Sequence, residues 1–455
     1  MRRFASPVYP IFSFNRRGYL THSQLIHKMK ILGYSKDENV KNGDDGLCHG
    51  IACLAAYAHL TDQYRNFDQK IEEISQLSET TNIRRLDSSM TLFLDAIALA
   101  QSPEEYRLHW KKINPNSPGL QFQQTQPVLQ YFASREKKEK IHRGAIFSGI
   151  YTIDELTHYF SLLRQAYHHS PHPFALLLHS LNHIISVHID KKTSRWYLID
   201  ANKLPQQIFH TDQPMALAVN QALSYTPNAL TLLGTSAFTL KKYQRQSQQF
   251  WSYIQCNALW KQLHNVDQKC HWIDPEENAW IHIAALKGLA HDIKKLLKAG
   301  ANPNKLNQEE ESPLELACML KHYAVIKLLL SHKAFVNLGE PSPLYLAVIN
   351  NDVMTTKLLL DHGALPDINS QYSPLRLAVD HGNIALVKML LEHGANPNQG
   401  SPALLIQAIK KGDDEIASLL KKHGAQTGSQ LFFKTSSILN SNNTRTPSMR
   451  NKRLW

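Results

Sequence analysis

The stretch "SPLYLAVINNDVMTTKLLLDHGALPD" (342–367) contains the pattern that decides the fold of the second half of the chain. Its alanine-centred segment and its leucine-rich segment both recur at a constant spacing. The alanines lie 33, 30, 31 and 30 residues apart, at Ala284, Ala317, Ala347, Ala378 and Ala408. The leucine-rich series reads "LLKAGANPN" (296–304), "LLSHKAFVN" (329–337), "LLDHGALPD" (359–367), "LLEHGANPN" (390–398) and "LLKKHGA" (419–425). Because two independent series share one register, the sequence predicts a tandem array of helical units.

Each unit is predicted to contain a helix with Ala at a close contact, a Leu-rich helix, and a loop. The Gly before the loop suits the left-handed residue that follows a helix end. These units resemble ankyrin repeats, which begin with a T-P-L-H-x-A segment. "SPL" stands at the T-P-L position at 312–314, 342–344 and 373–375, whereas the His is kept only at His282. The resemblance implies about five ankyrin repeats over 271–427.

An ankyrin array implies a partner protein, because such solenoids present a concave binding face. Tyr345 and Arg376 occupy the position of the T-P-L-H histidine in two units and are candidate partner-binding residues. Contacts between repeats are the alternative role for both side chains, and a spacer without a ligand is the alternative role for the array. Residues 428–455 are polar and basic, and we expect a disordered tail there.

Composition narrows the classes of function. The formal net charge of +12 favours acidic partners, but no compact Lys/Arg block or aromatic–basic motif accompanies it, so we expect no direct nucleic-acid binding.

The sequence contains no run of about 18 apolar residues, so we expect no membrane-spanning helix. Pro7 and Pro10 interrupt the apolar start, which argues against a cleaved signal peptide. Five cysteines without a CxxC pair indicate neither a disulfide framework nor a zinc ribbon. We expect no cofactor.

One cysteine lies where a loop meets an apolar segment, in "NGDDGLCHGIACLAAYAH" (42–59). The segment is apolar on every side, so it predicts a buried helix with Cys48 at its N-terminus. The helix dipole and the unbonded N–H groups of the first turn favour a thiolate and can bind an oxyanion. Cys48 is therefore a candidate nucleophile, and the alternative is that it is a small core residue.

A thiol nucleophile needs a base, and three predicted strands supply candidates. These strands are short, apolar runs: "FALLLHS" (174–180), "HIISVHID" (183–190) and "RWYLID" (195–200). If the intervening turn has an even-numbered loop, paired positions sum to 385, and His183 lies opposite Asn202 and diagonal to Asp200. An odd-numbered loop would favour His188 as the base.

Histidines of the same region offer an alternative reading as metal ligands, namely His179, His183 and His188. Their strand setting and the lack of a clear fourth ligand make a metal site the weaker interpretation.

The motif "GLCHG" followed by "HIISVHI" and "WYLIDAN" is similar to papain-like (clan CA) cysteine peptidases. In that family a helix-terminal Cys precedes a strand-initial His and an Asp at a strand end. The resemblance implies that Cys48 is the nucleophile, His183 the general base and Asp200 the orienting acid, and that Asn42 supplies the oxyanion-hole amide. Two departures are present: "DAN" replaces the D-P-N of the family, and two aspartates follow Asn42 in the same loop.

The predicted fold class is thus α+β. A papain-like domain over 1–270, with a helical part and an antiparallel sheet, precedes an all-α ankyrin solenoid, and residues 249–263 are predicted as one helix joining the two. This layout resembles ankyrin effectors that intracellular bacteria inject into eukaryotic cells by type IV secretion. The resemblance implies virulence-related action on a host protein, in the host cytoplasm or nucleus. Two functions stay open: a thiol hydrolase or acyl transferase whose array recruits a host protein, and a non-catalytic interaction module with a cysteine protease-like fold.

Overall fold

The computed structural model of the chain describes residues 22–31, 47–77, 140–190, 192–224, 226–367, 373–399 and 404–426, together with residues 89, 90, 93, 94 and 97. Two units make up the chain, Met1–Ile283 and Ala284–Trp455. Asn42 and the predicted tail over 428–455 lie outside the described residues. Within the described ranges, no helix is long and apolar enough to cross a membrane.

The first unit combines an antiparallel sheet with helices. Its described elements are α1 (His22–Ile31), α2 (Leu47–Leu60), α3 (Tyr64–Gln76), β1 (Ile141–Tyr151), α4 (Ile153–His169), β2 (Phe174–His179), β3 (Ile184–Ile189), β4 (Trp196–Ile199), β5 (Gln207–Phe209), α5 (Asp212–Leu223), β6 (Thr231–Leu240), α6 (Gln244–Cys256), α7 (Ala258–Leu263) and α8 (Val266–Lys269). A 3-10 helix, Ala201–Lys203, follows β4, and another, Lys241–Tyr243, follows β6. The strands lie in the order β1-β6-β2-β3-β4-β5, and every neighbouring pair is antiparallel.

Apolar cores cover both faces of this sheet. Along β2, Ala175 and Leu177 belong to the core formed with α1, α2 and α3. Leu176 and Leu178 belong to the core formed with α4, α5, α6 and α7. Every residue of β2, β3 and β6 is buried, which explains why the sequences of these strands do not alternate between apolar and polar residues.

The three strands expected between residues 174 and 200 are present as β2, β3 and β4, but the two longest strands were not predicted. The sequence of β6 lacks the two-residue period because both of its faces are buried. The sequence of β1 contains two glycines, and its register shifts between Arg143 and Ile146. The single helix predicted over 249–263 is wrong. It is two helices, α6 and α7, because Asn257 adopts an extended conformation and its side chain caps α7.

The described part of the array contains five helix–loop–helix pairs, as the repeats predict. Its helices are α9 (Trp280–Leu286), α10 (Ala290–Lys298), α11 (Pro313–Met319), α12 (Tyr323–Ser331), α13 (Pro343–Ile349), α14 (Val353–Asp361), α15 (Pro374–Asp380), α16 (Ile384–Glu392), α17 (Leu404–Lys411) and α18 (Asp414–Lys422). Helix α9 crosses the division between the two units. All five repeat alanines are fully buried, with an exposed fraction of 0%: Ala284, Ala317, Ala347, Ala378 and Ala408.

The starts and ends of the repeat helices follow from a few residues. The side chains of Ser312, Ser342 and Ser373 each accept the backbone N–H three residues further on, and a proline follows each as the first helical residue. Each "SPL" segment thus supplies the N-cap and the first turn of a repeat helix. Lys333 stands where other units have Gly and still adopts a positive φ of 66°. The fold therefore imposes the left-handed conformation even on a residue that disfavours it.

Asparagine side chains join successive loops of the array. The Oδ1 atom of Asn337 accepts the N–H of Leu365, and its Nδ2 donates to the carbonyl oxygen of Gly363. Asn304 and Asn398 make the same two kinds of bond to the loops that follow them. An amide suits this position because it carries an acceptor and a donor on one planar group.

Asp367 stands where the third loop would need such an asparagine. Its Oδ2 accepts the N–H of Asn396 at 2.6 Å, but its Oδ1 is buried and has no hydrogen-bond partner among the described residues. Burial raises the pKa of Asp367, although the bond from Asn396 opposes the shift. A group with a raised folded-state pKa contributes stability at pH values below its unfolded pKa and loses that contribution as the pH rises. At neutral pH Asp367 therefore weakens the array.

Replacing Asp367 with Asn should stabilise the chain by about 1 kcal/mol at pH 7, because it removes an unpaired buried acceptor and supplies a donor. The gain should shrink as the pH falls and Asp367 takes up a proton. Urea unfolding at pH 7 and pH 4 measures both effects. The matched control, Asn337→Asp, should cost stability at pH 7, and equal stability of the two single variants would contradict the role of the amide.

Replacing Ala347 with Glu should destabilise the array by roughly 3 kcal/mol, because a charge and four extra heavy atoms would enter a fully buried helix contact. Thermal melting followed by circular dichroism measures the loss. The control is Met354→Glu in the same repeat, where the native side chain is 63% exposed. If Ala347→Glu melts at the temperature of the parent chain, the contact assigned to this residue is wrong.

Candidate active site

Helix α2 places Cys48 beside the sheet. The helix is buried along almost its whole length in the core shared with β2 and β3, and Cys48 is its second residue. Cys48 is 7% exposed to solvent. Gly50 lies against the main chain of Ile97, since a Cβ atom on Gly50 would fall 2.7 Å from the Ile97 carbonyl oxygen. The second glycine of "GLCHG" is therefore required by packing around the helix start.

The β3–β4 hairpin brings the predicted base and acid together. Ser186 pairs with Ile199, and Val187 with Leu198, so paired numbers sum to 385, as an even-numbered loop requires. His183 lies immediately before β3, and Asp200 immediately after β4. His183 Nε2 is 2.8 Å from Asp200 Oδ1.

Asp200 is held by more than this contact. Its residue is only 1% exposed, and its Oδ1 also accepts the backbone N–H of Asn202 at 2.9 Å. This second bond caps the 3-10 helix that follows β4. Two donors on one oxygen fix the direction of the carboxylate, so Asp200 can in turn fix the ring of His183.

The imidazole of His183 also interacts with Cys48. Burial lowers the pKa of His183, but hydrogen bonds to Asp200 and Cys48, together with their charges, outweigh burial and raise it to about 9. Since Asp200 engages Nε2, the Nδ1 atom is left for the sulfur. An imidazole beside a thiol is the arrangement that serves nucleophilic cysteines as an acid–base partner. The three side chains thus have the contacts of a thiol–imidazole–carboxylate series.

Asn202 is a residue of the site to which the sequence assigned no role. Its Nδ2 lies 3.4 Å from His183 Nε2, next to the bond between His183 and Asp200. The predicted strand pairing placed Asn202 opposite His183, and an Asp followed two residues later by Asn is typical of a capped turn. Together, these two features of the sequence could have indicated that Asn202 lies beside His183 and Asp200.

Two other candidate residues of the first unit, His179 and His188, are not part of this group. The ring of His188 stacks on that of His59, with 3.5 Å between centroids, and His179 is buried at the end of β2. Among the described residues, no group of three or more His, Cys, Asp and Glu side chains is arranged to hold a metal ion. Asn42 and the aspartates that follow it are not described, so the oxyanion-hole role of Asn42 stays a prediction.

Tyr345 and Arg376 lie on the first helices of the third and fourth repeats. Tyr345 is half-buried, and its N–H donates to the capping hydroxyl of Ser342. Arg376 is exposed, and its Nε lies 3.9 Å from Asp380 Oδ2, one turn along the same helix. Such an exposed pair contributes little to stability. Partner binding by Tyr345 and Arg376 stays a prediction.

Comparison with known proteins bears on the array. Three copies of a family model described as ankyrin repeats match residues 255–340, 281–371 and 344–430. A crystal structure of the human ASB11 ankyrin repeat domain is 26% identical and matches with a TM-score of 0.33, covering 37% of this chain and 79% of that one. The match to the family model shows that the C-terminal part of the chain contains ankyrin repeats, as its sequence predicted.

The site predicts a difference in reactivity between two cysteines of one helix. A small alkylating reagent at pH 6 should modify Cys48 before Cys53, which is 0% exposed and lies 3.6 Å from His49 Nε2. His183→Ala should lower the rate at Cys48 at least tenfold, because it removes the imidazolium. Mass spectrometry of the alkylated peptides measures both rates.

The pH dependence of this reaction is a second test. The raised pKa of His183 keeps the imidazolium present from acidic pH up to about 9. The advantage of Cys48 in the parent over Cys48 in His183→Ala should therefore persist between pH 6 and 8 and decline above pH 9. Equal rates in the two proteins at pH 6 would contradict the pairing.

Proposed function

We propose that the chain is a bacterial effector acting inside a eukaryotic host cell. In this proposal the first unit is a papain-like thiol hydrolase or acyl transferase, and the ankyrin repeats bind the host protein on which it acts. The observation that carries the proposal is the contact of His183 with both Asp200 and Cys48 at the start of a buried helix. Ankyrin repeats support protein binding as the second half of the function.

The proposed reaction follows from the three side chains. The Cys48 sulfur attacks the carbonyl carbon of an amide, forming a C–S bond, while the carbonyl oxygen takes the negative charge. The His183 imidazolium gives its proton to the leaving nitrogen as the C–N bond breaks. Water then loses a proton to His183, attacks the thioester and restores the thiolate. An amine in place of water would give acyl transfer instead of hydrolysis.

Each remaining group has an electrostatic task in the same proposal. Asp200 holds the ring through Nε2 and stabilises its positive charge. The N–H of Cys48, at the helix start, and the side chain of Asn42 would donate to the oxyanion. Deamidation, peptide cleavage and acyl transfer use the same arrangement, so the reaction class is set by which amide the sulfur attacks and by whether water or an amine reaches the thioester.

The alternative function is a binding module without turnover. Two observations favour it: Cys48 is only 7% exposed and the His183 side chain only 11% exposed, so access for a polypeptide is narrow. Asp44 and Asp45 also follow Asn42 in sequence, and negative charge near the site would oppose both a thiolate and an oxyanion. Under this alternative the fold of the first unit would serve as a second interaction surface.

A comparison of variants that each lose one cysteine separates the two functions. The full-length parent, Cys48→Ala and Cys256→Ala would be incubated with a eukaryotic cell lysate. Quantitative mass spectrometry would then score new protein N-termini, Asn or Gln deamidation and new amide cross-links. Cys256 is exposed and remote in sequence from the site, so Cys256→Ala controls for the loss of a thiol. Catalysis predicts that one class of change appears with the parent and Cys256→Ala and is absent with Cys48→Ala. Identical changes with all three proteins would leave only the binding module.

A further inference from the structure

A second junction between α2 and the sheet lies at the opposite end of the helix from Cys48. His59, in the last turn of α2, stacks on His188 of β3 with ring centroids 3.5 Å apart and an angle of 21° between the rings. His188 in turn stacks on Tyr197 of β4, its directly paired neighbour, at 4.9 Å and 9°. Three rings from three elements thus form one stack, with His188 in the middle.

The polar atoms of this stack are poorly satisfied. The Nδ1 atoms of His59 and His188 are buried, and neither has a hydrogen-bond partner in the part of the chain that the structure describes. A neutral imidazole tolerates one unpaired acceptor, but a protonated imidazole carries N–H donors on both nitrogens and needs acceptors for both. Protonating either ring here would leave a buried N–H unpaired, and protonating both would place two positive charges 3.5 Å apart.

The charged and titratable neighbours do not remove this cost. Asp190, the residue that follows β3, acts on His59 and favours its protonated form. Burial nevertheless dominates and lowers the pKa of His59 to about 3, and burial and then the charge of His59 hold the pKa of His188 well below its ordinary value. Arg195 and Tyr64 act on Tyr197, where Arg195 adds a positive charge to the surroundings.

The position of the stack connects it to the candidate active site. The same helix carries Cys48 at one end and His59 at the other, and the same strand is preceded by His183 and contains His188. Because α2 is a rigid helix of 14 residues, loss of its attachment at His59 would alter its angle to β3. A change of that angle would move the sulfur relative to the imidazole of His183.

We infer that the His59–His188–Tyr197 stack is an acid-sensitive contact, called the latch below. It holds the C-terminal end of α2 on the sheet at neutral pH, and this end separates from the sheet when the two imidazoles take up protons. The latch is a property of the packing and stands without the proposed function; only its consequence for catalysis rests on that function. A group that must be neutral in the folded state and charged in the released state contributes its stability above its unfolded pKa of about 6.5 and loses it as the pH falls. The ratio of latched to released molecules should fall up to tenfold per pH unit for each histidine.

Hydrogen exchange of the full-length chain tests the latch without any substrate. Exchange rates, corrected for the intrinsic effect of pH, would be compared at pH 7.5, 6, 5 and 4.5 for peptides of α2 and, as an internal control, of α4. The inference predicts that the last turns of α2 lose at least tenfold protection between pH 7.5 and 4.5 while α4 changes little. Unchanged protection of α2 over this range would overturn it.

Variants assign the effect to the two rings. His59→Phe/His188→Phe keeps a stack of rings that cannot be charged and should move the loss of protection to lower pH by about one unit or more. His59→Gln removes the stack and should expose the end of α2 already at pH 7.5, without further loss on acidification. His210→Gln, an exposed histidine of the same unit, is the control and should behave as the parent. If the Phe variant does not fold, the parent and His59→Gln profiles decide: equal profiles would overturn the latch.

Failure of this inference is distinguishable from failure of the proposed function. Cys48→Ala should keep the acid response of α2, because the thiol takes no part in the stack. An acid response together with an inert Cys48 would support the latch and contradict catalysis. A reactive Cys48 without an acid response would support catalysis and contradict the latch.

Discussion

The burial of helix α2 against β2 and β3 is the constraint on which the geometry of the first unit depends. The helix has no polar face, so it is stable only where the sheet and α1 and α3 cover it. This packing fixes the N-terminal turn that carries Cys48, and Gly50 permits the close approach of the main chain at Ile97. The position of the thiol is therefore a consequence of core packing, and the same core holds the strands that carry its partners.

The hairpin β3–β4 supplies the second half of the site by pairing alone. Its register brings together two residues that lie just beyond the ends of the two strands, and the 3-10 helix after β4 adds a backbone donor to the Asp200 carboxylate. Asp200 is thus both a helix cap and the partner of His183, so one oxygen atom both stabilises the local fold and orients the imidazole.

The array is specified differently, because each repeat has its own buried alanine, helix cap and loop amide. Asp367 shows that such an array folds even where one loop lacks the amide and leaves a buried carboxylate oxygen without a hydrogen-bond partner among the described residues.

The sequence predicted most where the physical signal is local or periodic. The five repeats and their buried alanines could be read from spacing, because each repeat imposes the same contact. The sequence left two pairings open, because an even-numbered loop would favour His183 as the partner of Asp200 and an odd-numbered loop would favour His188, and the structure has the even register. Strand β6 could not be predicted, because burial on both faces removes the alternation that marks a strand. Strand β1 could not be predicted, because two glycines and a register shift interrupt its pattern. The break at Asn257 was missed because capping competes with helix continuation only through one side-chain bond. The stack of His59 on His188 depends on the angle between a helix and a sheet, which no local pattern records.

The central claim is that Cys48, His183 and Asp200 form one coupled group, and titration of the His183 ring tests it most directly. Nuclear magnetic resonance of the full-length chain with 15N-labelled histidine, with the His183 signal assigned from a His183→Gln variant, would follow its protonation from pH 5 to 10. The account predicts a pKa near 9 in the parent, because Asp200 and Cys48 together outweigh burial, and a lower pKa in both Asp200→Asn and Cys48→Ala. Titration of His183 near its ordinary value of about 6.5 in the parent, with no change in either variant, would contradict it.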